Sequence, residues 1–332
     1  MSNYIKRAKI AIKSRKLLKN WTISILKYAF KNPEILLKCK DNSVIKVSRD
    51  EFANILSLYY EGKIINCSNN SIGFYVNGNT YWIPVNEILI ASREFDSILK
   101  ALYYNWRYNS KYWEKGNIKF KHIHAEIIGT FEDEEYGYVD VKNKSIVDIG
   151  AFVGDTAIYF AIKGAKKVIA IEPHPGAYEE LVENIRINGL EGKIVPLNIA
   201  VGDKEGYIVI SNVETKQAPV TLFKESEGNG IKVKMETLNN VIKMYNLETD
   251  ILKMDCEGCE YNLILNDYEA VSKFDQLAFE YHAYNTGMSI YKLIQLLERE
   301  YNCKFVDEHI YRKNDPNWDK SKIGMLYCVK RK

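Results

Sequence analysis

Two textures of apolar and polar positions divide this 332-residue chain. From about Ile35 to Asn86, apolar residues come in short alternating runs separated by turn signals. "ILLKCKDNSVIKV" turns at Asp41-Asn42-Ser43 and "SIGFYVNGNTYWIPV" turns at Asn77-Gly78, which predicts two β-hairpins. From Lys144 onward, short wholly apolar runs alternate with amphipathic stretches. "SIVDIG" (145–150), "KVIAIEP", "KIVPLNIAVGD", "DILKMD" (250–255), "QLAFEYH", "CKFVDEHI" and "IGMLYCVKR" predict strands. "DTAIYFAIKGA" (155–165), "GAYEELVENIRINGL" (176–190), "TLNNVIKMYN" and "MSIYKLIQLLERE" (288–300) predict helices, and "GCEYNLILND" begins another. Residues 206–234 read as an excursion of short strands and a polar loop. Such alternation means an α/β fold, a mostly parallel sheet with helices on both faces. Ligands of these sheets bind beyond the carboxyl ends of the strands.

The N-terminal residues differ again. Ile5, Ala8, Ile12, Leu17, Trp21, Ile25 and Ala29 recur near helical spacing, with lysines between them. Three segments are therefore expected: a helical arm (1–31), an α+β accessory domain (32–125) containing a helical stretch at 96–108, and the α/β domain (126–332). Charge sharpens this division. The arm holds nine Lys or Arg and no acid, leaving 37 basic against 43 acidic residues elsewhere. Two readings of the arm stay open: an interfacial helix drawn to anionic lipid or an acidic partner, and a surface helix packed on its own domain. No apolar run reaches the ~18 residues a membrane span needs, and "WTISILKYAF" is broken by Lys27. A cytoplasmic protein is expected, the arm being open to contact with the inner face of the membrane. Six cysteines are too few and scattered for a disulfide scaffold.

"VDIGAFVGDT" places Gly150 and Gly154 at a strand-to-helix turn, where backbone N–H groups approach a ligand. A dinucleotide fingerprint requires G-x-G-x-x-G. Here Ala151 and Phe152 give G-x-x-x-G, which suits a cofactor without pyrophosphate, and Asp148 suits a cationic group. S-adenosylmethionine meets both conditions. Glu172 and Pro173 end the second strand, and an acid there can accept hydrogen bonds from ribose hydroxyls. Thr156 caps or supports the helix start.

With those motifs, "IAVGDKEG", "TLNNVI", "ILKMDCEGCEY" and "LAFEYH" in order, the chain from about Phe131 onward resembles the FkbM-type family of S-adenosylmethionine-dependent methyltransferases. Asn239 departs from the acid usual in the "TLD" position, and Phe152 from the usual asparagine. The first 120 residues lie outside the resemblance. It implies a class I methyltransferase (Rossmann-like) seven-stranded sheet with its last strand antiparallel. It also implies O-methylation of a sugar or other small hydroxyl acceptor. By position, Asp148, Gly150, Ala151, Gly154 and Thr156 would cradle the methionine part. Glu172 and Pro173 would hold the ribose, and the segment from Asn198 to Ala200 would lie near the adenine.

In that fold "LKMDCEGCEYNL" becomes the catalytic candidate. Asp255 ends the fourth strand, and Lys253, two residues earlier, is expected on the same side. Glu257 and Glu260 share the first turn of the next helix, where acids are also favoured by the helix dipole. Glu280 and His282 end the fifth strand. Methyl transfer to a hydroxyl needs an aligned acceptor and a proton acceptor. His282 is one candidate base, and Asp255 or Glu257 is another if burial raises its pKa. A third arrangement uses Asp255, Glu280 and His282 as Mg²⁺ ligands. Cys256 and Cys259 lack the further ligands zinc needs and read as small packing residues. Cys303 and Cys328 would meet if the last two strands are antiparallel neighbours.

Two other functions compete. An RNA methyltransferase would use the basic arm for phosphates, but the acidic remainder argues against an extended nucleic-acid groove. A non-catalytic module would bind cofactor or partner without turnover, which the gathered carboxylates oppose. An NAD dehydrogenase has the wrong glycine spacing.

Overall fold

Ser145–Ile149 (β1) is buried at every position, as a strand covered on both faces must be. It lies inside a seven-stranded sheet, beside the central strand, in a computed structural model that describes residues 3–90, 95–211, 230–306 and 308–332. The other strands are Lys167–Ile171 (β2), Ile194–Leu197 (β3), Ile251–Met254 (β4), Gln276–His282 (β5), Tyr301–Val306 (β6) and Ile323–Lys330 (β7). Their spatial order is β3-β2-β1-β4-β5-β7-β6. β3, β2, β1, β4 and β5 pair in parallel, and β7 runs antiparallel to both β5 and β6. This is the class I methyltransferase sheet. The helices Asp155–Ile162 (α1), Pro175–Ile187 (α2), Leu238–Tyr245 (α3), Cys259–Asn266 (α4) and Ile290–Leu297 (α5) connect the strands.

Two strands differ from expectation. The run predicted as one third strand is split, because the Asn198 side chain donates to the carbonyls of Glu172 and Pro173 and turns the chain out of the sheet. Ala200–Gly202 then joins Gly230–Thr237 and Gly206–Ser211 in a separate three-stranded sheet. The sixth strand stops at Val306, and Glu308–Asn314 is helical. The segment 212–229 of the predicted excursion lies outside the described residues.

By its contacts the chain forms two compact units, 1–124 and 125–332. The first contains the expected hairpins, Glu34–Lys38 with Val44–Ser48 and Ser71–Val76 with Asn79–Pro84. Asn77 and Gly78 both take positive φ, as a two-residue hairpin turn demands. The predicted 96–108 helix ends at Tyr103, and Arg107–Tyr108 opens a three-stranded meander. The N-terminal helices Asn3–Lys13 and Trp21–Ala29 pack within this unit, with Leu17 and Leu18 fully buried between them. No helix among the described residues is long and apolar enough to cross a membrane.

The cysteines correct the sequence reading. All six form disulfides: Cys39–Cys67, Cys256–Cys259 and Cys303–Cys328. The last pair is directly opposed across β6 and β7, so antiparallel register brings distant positions into bonding range. The C-x-x-C is thus a covalent brace on the β4–α4 turn rather than a pair of packing residues. Thiol titration in denaturant is expected to find no reactive cysteine before reduction and six afterwards; two reactive thiols without reductant would show that one bridge is absent.

Candidate functional site

Beyond the carboxyl ends of β1, β2 and β4 lies an open cleft of about 490 Å³, lined by Gly150, Phe152, Glu172, Pro173, Ala200, Asp255 and Glu257 among others. Gly150 has φ +77°, and a Cβ there would sit 1.7 Å from the Asp255 carbonyl oxygen. The glycine is demanded by the close approach of the β1 and β4 ends. Gly154, at φ +90°, begins α1, and its Cβ would meet Leu181 at 2.5 Å. Glu172 is buried, and its carboxylate accepts hydrogen bonds from Phe152 N at 2.9 Å and His174 N at 2.7 Å. Burial pushes its pKa up to about 7 despite those two bonds. Of the cofactor candidates, Gly150, Glu172 and Pro173 line the cleft. Asn198 shapes it from behind, and Ala151 is fully buried.

Asp148, Thr156 and Lys253 have a different place from the one expected. Lys253 and Asp148 are opposed across β4 and β1, and their side chains form a buried ion pair at 2.9 Å. Thr156 Oγ1 donates to Asp148 at 2.6 Å, and Lys253 Nζ donates to the Gly150 carbonyl at 2.9 Å. Burial lowers the Lys253 pKa, but the charges of Asp148, Asp255 and Asp155 outweigh it for a net rise. Lys253 therefore lies on neither face of the cleft. It fixes the β1 turn and the β4 end together.

His282 is also corrected. Its ring is 1% exposed and ringed by carboxylates: Glu260 on Nδ1 at 3.2 Å, and Glu280, Glu257 and Asp255 on Nε2 at 3.1, 3.7 and 3.9 Å. Glu260 accepts from the His282 backbone N–H as well, at 2.8 Å. Burial disfavours the charged ring, but hydrogen bonds to Glu260 and Glu280 and the surrounding charge push its pKa up to about 12. An imidazolium with both N–H groups engaged cannot take a proton from an acceptor. Ligating atoms of Asp255, Glu280 and His282 lie within 4.8 Å of one another, a spacing that a metal ion could bridge, although Mg²⁺ prefers oxygen to imidazole nitrogen.

Asp255 and Glu257 remain at the mouth. The Asp255 side chain is 34% exposed. Glu257 sits at φ +57° between the two bridged cysteines. The Asn285 amide holds its carboxylate at 2.8 Å and its carbonyl at 3.1 Å, and Tyr284 OH adds a 3.2 Å bond. Burial raises the Glu257 pKa, with His282 opposing and Asp255 adding to the rise. A second cleft of about 800 Å³ shares Glu257, Cys259, Ala200 and Val201 with the first. Glu257 thus stands where the two meet.

Three contributors escaped the sequence. Tyr311 donates to Glu280, Asn285 pins Glu257, and Glu135 carries a carboxyl whose pKa is raised well above normal by burial and by Glu280 and Asp255. Each comes from a distant loop or short helix, and no local pattern marks them.

The family match lies within the second unit. Residues 148–305 match the model of the methyltransferase FkbM domain. The protein carries an FkbM-type methyltransferase domain. The curated proteins similar to it include the uncharacterized protein 158B of Sulfolobus islandicus rod-shaped virus 1, 32% identical over 147 residues. A tRNA (guanine(37)-N(1))-methyltransferase of Methanocaldococcus jannaschii is 42% identical over 73 residues. The chain spans 66% of the viral protein and 21% of the archaeal enzyme, through 44% and 21% of its own length. Among solved structures, M. capricolum TrmK in complex with S-adenosyl-homocysteine is 14% identical, with a TM-score of 0.36 over 60% of this chain and 67% of that one.

The FkbM domain's inner pair has a measurable signature. Lys253→Met leaves Asp148 charged and buried, and is expected to lower stability by about 3–5 kcal/mol in urea denaturation; unchanged stability would return Lys253 to the acceptor side. For His282 the folded pKa lies above the unfolded value. Its contribution is fully present below about 6.5 and is withdrawn as pH rises toward about 12. Denaturation midpoints are therefore expected to fall more steeply from pH 7 to 10 in the wild type than in His282→Gln. Parallel curves would mean that the ring is neutral in the folded protein.

Proposed function

We propose that the FkbM domain binds S-adenosylmethionine in the first cleft and methylates a hydroxyl of a sugar, glycan or glycolipid. The cofactor, when bound, supplies an electrophilic methyl group. Glu172 retains acceptor capacity for ribose hydroxyls beyond the two backbone bonds it takes, and Gly150 gives the ligand close access to backbone. Asp148, Thr156 and Lys253 position that turn from behind. Glu257 is the group we assign to the acceptor's proton: it faces both clefts, and burial raises its basicity. Asp255 orients the acceptor beside it, and the His282 imidazolium steadies the gathered charge.

The observation that carries the hydroxyl reading is the pair Asp255 and Glu257 on the cleft wall, backed by the buried carboxyls of Glu280 and Glu135, which feel the Asp255 charge. Two carboxyl groups on the wall suit a neutral polyol as hydrogen-bond acceptors and disfavour phosphodiesters. A tRNA acceptor is the second reading. The archaeal relative named as a tRNA methyltransferase favours it, whereas the acidic remainder of the chain argues against an extended nucleic-acid groove.

Calorimetry with S-adenosylhomocysteine and NADH tests the cofactor. Binding of the first only, weakened at least about tenfold in Glu172→Gln through loss of charged hydrogen bonding, is expected; binding of NADH alone would sink the reading. With labelled methyl donor, Glu257→Gln should lower kcat about 10²–10⁴-fold while S-adenosylhomocysteine binding holds, and chelators should change neither. Label passing into tRNA and not into glycans would transfer the assignment to nucleic acid.

A further inference from the structure

The Trp21–Ala29 helix of the first unit is mounted with its polar face inward. Ser24 is fully buried, and its hydroxyl donates to the Leu36 carbonyl at 3.0 Å. Asn20, one turn earlier, donates to the same carbonyl at 2.8 Å and accepts from Lys38 N at 2.9 Å. Tyr28 packs on Phe52, with ring centroids 5.6 Å apart, and lies under the Arg49 guanidinium at 4.5 Å. These groups anchor one side of the helix to the hairpin and the following helix.

The opposite side is apolar and bare. Ile23 and Leu26 are each 56% exposed and Phe30 is 79% exposed. Spaced i, i+3 and i+7, they fall within an arc of about 60° on a 3.6-residue helix. The periodicity that marks Leu17, Trp21 and Ile25 thus describes the packed or half-packed side. The stripe that faces outward is a different one. Cations bracket it: Lys19 before the helix, Lys27 on it and Lys31 after it. The first acid of the chain is Glu34, which is already paired with Lys46.

We propose that this face docks on an anionic lipid surface. Aliphatic and phenyl side chains enter the boundary between headgroups and acyl chains, while flanking lysines remain at the phosphate level. Charge complementarity selects this occupant. A second copy of the same face would bring two basic segments together, and an RNA duplex or loop offers no apolar layer for Ile23 and Leu26. The surface belongs to the first unit alone, so the proposal does not depend on which acceptor the FkbM domain methylates.

Co-sedimentation of the full chain with phosphatidylcholine vesicles, with and without 30% phosphatidylglycerol, tests the proposal. Binding is expected on the anionic vesicles, weakened by 0.5 M salt. Ile23→Ser/Leu26→Ser/Phe30→Ser should reduce it at least about tenfold with an unchanged melting temperature. If the triple variant misfolds, Phe30→Ser alone should give a smaller loss in the same direction. Lys27→Gln/Lys31→Gln should weaken binding to anionic vesicles only. Four results would overturn the assignment: no vesicle binding, equal binding to neutral vesicles, insensitivity to the apolar substitutions, or concentration-dependent self-association that those substitutions abolish.

Discussion

A lysine and an aspartate facing each other across β4 and β1 hold the catalytic unit in working shape. Neither side chain reaches solvent, so each is the other's principal compensation for leaving water. From this pair, bonds run outward to Thr156 at the start of α1 and to the Gly150 carbonyl at the turn. The two strand ends that flank the cleft are thereby set at one separation. The cleft depends on that separation, because Gly150 and Asp255 approach as closely as their backbones allow.

A second charged nucleus lies one strand over. His282 is hemmed in by Glu260, Glu280, Glu257 and Asp255, two of which have further donors in Tyr311 and Asn285. One cation cannot neutralise four acids, and burial raises the pKa of Glu257 and Glu280 with the Asp255 charge adding to both. On the proposed reading, a carboxyl on the cleft wall rather than the imidazole takes the acceptor's proton. The gathered acids also make the region unwelcoming to further anions, whereas the excess of basic over acidic residues is in the other unit.

The sheet was legible because its strands are wholly apolar and its helices amphipathic, so period and length separate them. That Glu172, Pro173 and Gly150 line the cleft follows for a related reason: each comes just after a strand, and the cleft opens beyond the strand ends. Lys253 was legible as a strand-end lysine near Asp255, whose charge it feels, but its burial against Asp148 and the Gly150 carbonyl arises from the pairing of β4 with β1. His282 was recognised as part of the site, but its protonation depends on Glu260 and Glu280, whose arrangement only tertiary packing creates. Glu135, Tyr311 and Asn285 carry no local signal. The Cys303–Cys328 bridge was legible from strand order, whereas the Cys39–Cys67 bridge was hidden, its residues lying 28 positions apart in different hairpins.

The crowding at Gly150 has a bearing on how the family's glycine signature is interrogated. Because the neighbouring carbonyl occupies the space where any side chain would begin, an alanine there pries apart two strands before any ligand arrives. An inactive Gly150→Ala protein would therefore report on assembly of the sheet and stay silent about recognition. Evolutionary retention of glycine at this turn has the same ambiguity: it can persist in a descendant that has lost its chemistry, for as long as the fold itself is kept.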